Sequence, residues 1–341
     1  MNFTKPTVAL LLATSALSAC ASGGGKDDDF ISRPPIDNAS FAVLEEKTGV
    51  RDGEEKQFEH AAVMLGSTGE QSIGKFSVSG SQLDGDDNFT PANVTSEFDS
   101  SGDGLLKSEH WQNDAVAQDR RTTEQTREEN QGDFSGTITV GGEEALVNVV
   151  YPQGPNVDSS YVVYVPKDSD SNMYAGAIVD HTQGQGYHGV FGRRTTSDEM
   201  STQNASATYS GVAMASVAQY NPNDLAPEGG LYEGDASGTV NFENRTLSIN
   251  STMNRDRLQT GGTDSVALSA SGSFDTNGNI NGSATFGGLP GQSGDLTGTL
   301  EGSFFGPDAD TIGATFAGAN GTRGGVDANS QIAGHTILNR D

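Results

Sequence analysis

Eight short stretches in which apolar and polar residues alternate follow one another from about residue 204 onward. In the first stretch, Ala207, Tyr209 and Ala213 share one face, and the others recur near 236–242, 246–250, 265–274, 279–287, 294–305, 311–318 and 331–338. This alternation is typical of strands with one buried face. No connection between them is long and periodic enough for a crossover helix, so the strands are expected to pair antiparallel. Eight such strands can close into a small barrel filled by side chains, and closure removes exposed sheet edges.

The preceding region, residues 41–190, also has short apolar runs bounded by Gly, Pro, Asp and Asn. The predicted strands include Ile73–Val78, Phe134–Val140, Leu146–Tyr151, Tyr161–Val165 and Tyr174–Val179, with Gly141-Gly142 as a turn. Residues 105–130 lack Gly and Pro and have a thin apolar face, which is compatible with a polar helix or with a loop. We expect a mainly β chain. Its C-terminal eight-stranded antiparallel β-barrel, residues 191–341, follows a smaller β-rich N-terminal region and a flexible lipidated tether.

The amino terminus has the pattern of a secretory signal. Lys5 precedes an apolar stretch of about ten residues, which is too short for the roughly 20 residues of a membrane span. The run Leu17-Ser18-Ala19-Cys20 that follows resembles a bacterial lipobox, which implies cleavage before Cys20 and its acylation with fatty acids such as palmitate. We therefore expect a lipoprotein signal peptide at 1–19 and a lipidated, flexible tether at 20–40. No later apolar run approaches 18 residues, so attachment to the membrane is expected through the lipid alone.

Charge excludes one class of partner. The formal net charge is −27, and it moves to −28 when residues 1–19 are removed, because they contain Lys5 and no acid. A chain this acidic repels phosphate backbones, so nucleic acid is not an expected partner. The sequence also lacks a Gly-x-Ser-x-Gly, a His-Glu-x-x-His and a phosphate-binding loop, so we expect no enzyme and no cofactor.

One segment has a weak likeness to a calcium-binding loop. Asp99, Ser101 and Asp103 occupy the first, third and fifth positions of an EF-hand pattern, but the glutamate at position 12 is replaced by His110. An acidic surface loop is the favoured interpretation. His181 and His188, in a glycine-rich run, are interpreted as surface histidines near a hairpin rather than as metal ligands.

The segment Gly302–Phe316 resembles the barrel signature of transferrin-binding protein B and related surface lipoproteins. The matching positions are Gly302, Phe304, Gly306, Pro307, Ala309, Gly313 and Phe316, while Phe305 replaces a usual Tyr and Asp310 a usual Glu. Ser206–Gly211 is similar to the first barrel strand of that family, and Phe191-Gly192 to the segment before it. The resemblance implies a lipid-anchored protein at the outer-membrane surface. Some members deliver iron or haem from carrier proteins to a TonB-dependent receptor.

Ligand contacts are expected in long connections at the barrel mouth rather than in the signature itself. The candidates are Tyr220, Leu225 and Tyr232 in 218–235, and Arg255 and Arg257 in 251–264. The leading hypothesis is an outer-membrane surface lipoprotein that binds a protein or nutrient ligand. One alternative is a lipocalin-like carrier, which requires Phe274, Phe286, Phe304 and Phe316 to leave the interior open. Another is a structural or adhesive surface module.

Overall fold

The structure, a computed structural model, describes residues 46–49, 56–65, 70–83, 89–99, 105–109, 134–150, 159–182, 185–220, 228–256, 263–290, 293–319 and 329–341. The fold is mainly β, as the sequence predicts, with a nine-stranded sheet followed by a closed eight-stranded barrel. Among these residues, no helix is long and apolar enough to cross a membrane.

The sheet is antiparallel throughout and contains the first nine strands. They are β1 Lys56–Leu65, β2 Glu70–Leu83, β3 Phe89–Asp99, β4 Leu105–Glu109, β5 Phe134–Val140, β6 Glu143–Val150, β7 Ser159–Pro166, β8 Ala175–Thr182 and β9 Gln185–Gly192. Their order is β4-β3-β2-β1-β9-β8-β7-β6-β5, so two meanders join where β1 pairs with β9. Gly141 and Gly142 both have positive φ in the β5–β6 turn, as predicted.

Two predictions for this region need correction. The segment 105–130, for which the sequence allows a polar helix or a loop, begins with strand β4. This strand pairs with β3, for example through Phe98 and Leu106. Residues 110–130 lie outside the described part of the chain. Phe191 and Gly192, assigned to the barrel from the sequence, are the last residues of β9. The reason is that the register of β9 against β8 continues to its end, where Phe191 pairs with Gly176.

The barrel contains eight antiparallel strands and closes by pairing its first strand with its last. They are β10 Ser206–Tyr220, β11 Glu228–Asn241, β12 Thr246–Asp256, β13 Thr263–Phe274, β14 Asn279–Gly287, β15 Leu296–Phe305, β16 Thr311–Ala319 and β17 Asn329–Arg340. Every strand overlaps one of the stretches predicted from alternation. The short helix α1, Ser197–Thr202, precedes β10, and Thr196 and Glu199 form a capping box at its start.

Side chains that point into the barrel form a dense apolar core. Phe274, Phe286, Phe304 and Phe316 are all buried there. The Phe274 and Phe304 ring centroids lie 4.9 Å apart with an edge-to-face tilt of 70°, and those of Phe286 and Phe316 lie 5.6 Å apart. Both geometries are favourable for aromatic pairs. The core is therefore the filled interior that the sequence predicts for a narrow barrel.

The sheet packs on one wall of the barrel, and we call this interface the joint. Its apolar part contains outward-facing barrel residues (Met214, Leu231, Phe305 and Ile337) against Val140, Ala145, Tyr164, Met173, Ala175, Ala177, Val179 and Val190 of the sheet region. Neighbouring residues of β15 thus serve two cores, since Phe304 points into the barrel and Phe305 into the joint. Asn339 Nδ2 also donates to the Val140 carbonyl, at 2.7 Å, across the joint.

Replacing Phe304 by alanine should lower the free energy of unfolding by about 3–5 kcal/mol, because it removes a ring from a close-packed interior. Thr297→Ala, at an exposed position of the same strand, should change it by less than about 0.5 kcal/mol. Urea unfolding followed by circular dichroism measures both. Equal losses for the two variants would contradict the filled interior.

Gly141→Ala and Gly142→Ala form a matched pair that tests the joint. Both glycines have positive φ, which costs an alanine about 1–2 kcal/mol. A Cβ on Gly141 would lie 2.2 Å from the Ser210 carbonyl oxygen of the barrel, whereas one on Gly142 would meet nothing within 4 Å. Gly141→Ala should therefore cost about 3 kcal/mol or more in urea unfolding, and Gly142→Ala only the strain. The interpretation fails if Gly142→Ala is the more damaging change.

Candidate functional site

The two ends of the barrel differ in how the strands are connected. At one end, which we call the closed end, short turns occupy residues 242–245, 275–278 and 306–310. At the opposite end, which we call the loop end, the strands are joined by residues 221–227, 257–262, 288–295 and 320–328. Long connections on a rigid scaffold are the usual location of binding residues. The loop end is therefore the candidate functional site.

The closed end is sealed by side chains from α1 and the last strand. Met200 of α1 belongs to the barrel core, together with Phe242 and Phe304. The Arg340 guanidinium lies 5.7 Å from the Phe242 ring and donates to Gln203 Oε1 at 2.9 Å and to the Asp308 carbonyl at 2.7 Å. These contacts cover the closed end, so its side chains stabilise the barrel.

The turns of the closed end also explain the glycine pattern of the signature segment. Gly306 has φ +88° after β15, and its amide donates to the Arg193 carbonyl at 2.8 Å. A Cβ there would lie 2.5 Å from the Asp310 carboxylate. In the Asp275–Gly278 turn, the Asp275 side chain accepts from the amides of Asn277 and Asn279. Both turns are hairpin connections, as predicted.

Both connections predicted to bind ligand lie at the loop end. Tyr220 is the last residue of β10 and Arg255 lies in β12, one residue before its end. Leu225 and Arg257 fall in the connections 221–227 and 257–262 and lie outside the described residues. Of the candidate positions, Tyr220 and Arg255 are thus the two that the described strands bring to the same end of the barrel.

Tyr232 is not the exposed anchor that the sequence analysis predicts. The pairing of β10 with β11 runs without interruption from Ser206↔Asn241 to Gln219↔Glu228, so Tyr232 lies within a strand and pairs with Ala215. Its side chain is fully buried in the barrel core. The signal that was missed is the period of two over Tyr232, Gly234, Ala236, Gly238 and Val240, which continues the apolar face of β11.

Arg255 is held across the neighbouring strand. A Cβ added to Gly230 of β11 would lie 2.4 Å from Arg255 Nε and 2.5 Å from its Cζ, so the absence of a side chain at Gly230 creates the space for the guanidinium. The side chain is half-buried. An arginine that is fixed in this way has already lost part of its conformational entropy, which favours its use as an anchor in a contact.

One carboxyl group of β11, that of Glu233, has a perturbed pKa. Burial, together with the charge of Asp235, raises the pKa of Glu233 in β11. Glu233 pairs with Asn254, the neighbour of Arg255, in the ladder of β11 and β12. Glu233 points out of the barrel, opposite to its neighbour Tyr232, and its charge helps to raise the pKa of Tyr164 in the joint. Elsewhere along the described residues, no group of three His, Cys, Asp or Glu side chains could hold a metal ion.

The calcium-loop pattern lies between two strands. Asp99 ends β3 and pairs with Leu105, which begins β4, so residues 100–104 connect a β-hairpin and lie outside the described residues. An EF-hand loop joins two helices, and that context is not present here.

His188, interpreted from the sequence as a surface histidine, is buried in the joint. Sequence periodicity could not reveal this, because a glycine-rich run gives no sign that another sheet covers it. His181 lies in β8, and its side chain is not described.

The interior favours one of the functional alternatives over another. The four phenylalanines that would have to leave the interior open in a lipocalin-like carrier all point inward and are buried. Their rings occupy the closed-end half of the barrel through Phe274 and Phe304, and the loop-end half through Phe286 and Phe316. These rings fill the levels of the interior at which a lipocalin-like carrier would hold a small apolar ligand.

Comparison with known proteins bears on the barrel. Residues 201–331 match the family model described as the C-lobe and N-lobe beta barrels of Tf-binding protein B. Among curated proteins, none matches the sequence.

Solved structures that are similar include a double mutant of transferrin binding protein B from Haemophilus parasuis Hp5, with 11% identity and a TM-score of 0.35 over 79% of this chain and 51% of that chain. Isotype 1 transferrin binding protein B from serogroup B Neisseria meningitidis has 14% identity and a TM-score of 0.31 over 79% and 52% of the two chains. The N-lobe domain of lactoferrin binding protein B of Moraxella bovis has 11% identity and a TM-score of 0.33 over 82% and 99%.

This chain thus spans about half the length of the first of these structures. The assignment of the barrel depends on the family model and on the eight-stranded closure described above. Over residues 201–331, the chain is similar to the barrels of transferrin-binding protein B, as the Gly302–Phe316 segment predicts.

Proposed function

We propose that this chain is a lipid-anchored protein of the outer-membrane surface and that the loop end of its barrel binds a protein ligand. The observation that carries the proposal is the convergence of the long connections at one end of a barrel that matches the transferrin-binding protein B model. The matching proteins are named for binding transferrin and lactoferrin, so the ligand class proposed here is a host iron-carrier protein.

The loop end also supplies the positive charge that an acidic chain needs to hold a protein partner. From Ser206 to the end of the chain there is no lysine, and the five arginines are Arg245, Arg255, Arg257, Arg323 and Arg340. Three of them (Arg255, Arg257 and Arg323) lie in or beside the loop-end connections. Arginine and tyrosine are the residue types most enriched among strong contacts of protein interfaces, and Tyr220 is beside them.

The amino-terminal part is proposed to deliver this module to the cell surface. Residues 1–19 act as the signal peptide, acyl chains on Cys20 insert into the outer membrane, and residues 20–40 hold the folded part away from the lipid. The small and acidic composition of the tether supports this role, since it cannot bury apolar area and extends by self-repulsion. A TonB-dependent receptor is the proposed recipient of iron or haem released from the bound carrier.

The double variant Arg255→Ala/Arg257→Ala should weaken binding to iron-loaded transferrin or lactoferrin by at least about tenfold, because it removes two anchors from the loop end. The control is Arg245→Ala, which removes an arginine from an exposed position at the closed end and should leave binding within about twofold. Surface plasmon resonance with the full-length chain provides both affinities.

An equal loss from Arg245→Ala would contradict the loop end as the site. If neither carrier protein is bound by the unaltered chain, and a pull-down from host fluid also recovers no carrier protein, the adhesive-module alternative becomes the better explanation.

Cys20→Ala should abolish incorporation of a labelled fatty acid and release the chain from the membrane fraction, whereas Ser22→Ala should change neither. Because the acyl chains rather than surface charge hold the protein, the unaltered chain should stay in the membrane fraction through a wash with about 1 M salt, where charges are screened beyond about 3 Å. Labelling that survives in Cys20→Ala would show that the anchor lies elsewhere.

A further inference from the structure

Arg255 points toward the inside of the barrel at the loop end. Met253, two residues earlier in β12, lies in the barrel core, and the register of β12 against β13 runs without a break through both residues. Side chains two residues apart in a strand share a face, so the Arg255 side chain is on the inner face. Its neighbour Asn254 is on the outer face, where its Oδ1 accepts from Ser265 Oγ at 2.7 Å.

Gly230 provides the space that the end of the Arg255 side chain occupies. It lies two residues before the core residue Tyr232 in β11 and pairs with the core residue Val217 of β10, so a side chain at 230 would also point inward. A Cβ there would lie 2.4 Å from Nε, 2.5 Å from Cζ and 2.7 Å from Cδ of Arg255. We call the inner surface formed by Val217, Gly230 and Arg255 the mouth.

One arginine lies at each end of the barrel core, and the two differ in their partners. At the closed end, Arg340 donates to Gln203 Oε1 at 2.9 Å and to the Asp308 carbonyl at 2.7 Å. In the mouth, Arg255 is half-buried and has no hydrogen-bond or salt-bridge partner among the residues that the structure describes. Asp264 of β13, which stands opposite Arg255 in the ladder, takes part in other interactions. A guanidinium that has lost part of its hydration in this way regains hydrogen bonds when another molecule supplies an acceptor.

A carboxylate is the acceptor that fits the mouth best. Its two oxygens match the fork of N–H groups on a guanidinium, and such charge-assisted pairs are stronger than neutral hydrogen bonds. A phosphate group would bring up to about two negative charges to a chain whose formal net charge is −27, whereas a carboxylate brings one. Aspartate and glutamate side chains supply this group on the surface of a protein ligand.

We propose that Gly230 is a positioning residue that holds the Arg255 guanidinium in the mouth, and that an aspartate or glutamate side chain of the partner protein enters the mouth to pair with it. This inference rests on the proposed function, because it requires that a protein binds at the loop end. It adds the chemistry of the contact and the residue that prepares it. An arginine that is placed before binding loses less conformational entropy when the complex forms.

Gly230→Ala tests the positioning role without removing a polar group. The three atoms nearest to the added Cβ all belong to the far part of the flexible Arg255 side chain, so the arginine moves aside and the fold is retained. Binding of the full-length chain to iron-loaded transferrin or lactoferrin should weaken about tenfold in surface plasmon resonance. Gly294→Ala, in the connection 288–295, is the matched control. Its Cβ meets nothing within 4 Å, and the affinity should stay within about twofold.

A double-mutant cycle separates positioning from general damage to β11. In an Arg255→Ala background, where no guanidinium is left to position, Gly230→Ala should change the affinity by less than about twofold. Arg255→Lys should bind nearly as weakly as Arg255→Ala, because an ammonium group keeps the charge but lacks the fork. The inference is overturned if Gly230→Ala leaves the affinity of the native chain unchanged, or if it weakens binding equally in both backgrounds.

A second measurement decides the matter if Gly230→Ala does not fold, or if the native chain binds neither carrier, a result that counts against the proposed function alone. The probe is a hexapeptide of glutamate, and the readout is the NMR signal of the Arg255 Nε–Hε group in the full-length chain, assigned by its loss in Arg255→Lys. This signal should shift in a saturable way, and that of Arg340 should not.

Citrate, as a free carboxylate, distinguishes the source of the group. A shift of the Arg255 signal with citrate but not with the peptide would overturn a protein side chain as the ligand. The absence of a shift with either probe up to about 10 mM would overturn the carboxylate site itself.

Discussion

The pairing of β10 with β17 is the interaction on which the rest of the molecule depends. It runs from Tyr209↔Arg340 to Tyr220↔Asn329 and joins the first barrel strand to the last across more than a hundred residues of chain. With no disulfide to form from a single cysteine, closure is maintained by these backbone hydrogen bonds and by the interior that they enclose. Glycine permits the close approach of the two strands, because a Cβ on Gly211 would lie 2.0 Å from the Ile337 carbonyl oxygen.

Closure also creates the wall to which the sheet binds. Met214, Ile337 and Phe305 point out of the barrel and would be exposed in an isolated cylinder, but the sheet buries them. The strands of the joint are consequently covered on both faces, as in β16, where all residues except the last are buried. The opposite wall differs, since β13 alternates buried apolar residues with exposed or half-exposed ones. One barrel therefore contains two kinds of strand, and the covering sheet distinguishes them.

This difference explains what could be predicted from the sequence. In strands that expose one face to solvent, such as β13 and β14, apolar and polar residues alternate with a period of two. The ends of these strands and the turn at Asp275–Gly278 were therefore predicted closely. Strands at the joint show continuous runs of small and apolar residues, which identify a strand but not what covers it. The burial of His188 and the two-sided role of Phe304 and Phe305 depend on contacts between residues far apart in sequence, for which a single sequence has no local signal. Tyr232 was misplaced for a different reason, because Gly229-Gly230 was interpreted as loop although β11 continues through it.

The closed end and the joint limit the part of the barrel surface that is open to a partner protein. The closed end is filled by α1 and Arg340, and one wall lies under the sheet. Much of the remaining wall presents short, uncharged side chains, with the exposed Asp235 of β11 as an exception. One row of paired residues crosses six strands as Thr208, Thr239, Ser248, Ser271, Ser283 and Thr299. A second row crosses the same strands as Ser210, Ser237, Asn250, Ser269, Thr285 and Thr297.

Small hydroxyl and amide groups on a convex wall are well hydrated and offer little apolar area to bury, so they contribute little to a protein interface. The loop end differs in having longer connections, Tyr220 at the end of β10 and the half-buried Arg255 of β12. The contacts that hold the fold together therefore lie in the interior, at the closed end and in the joint. The loop end is left free to vary without loss of the barrel, which is the condition under which a binding surface can be specialised on a common scaffold.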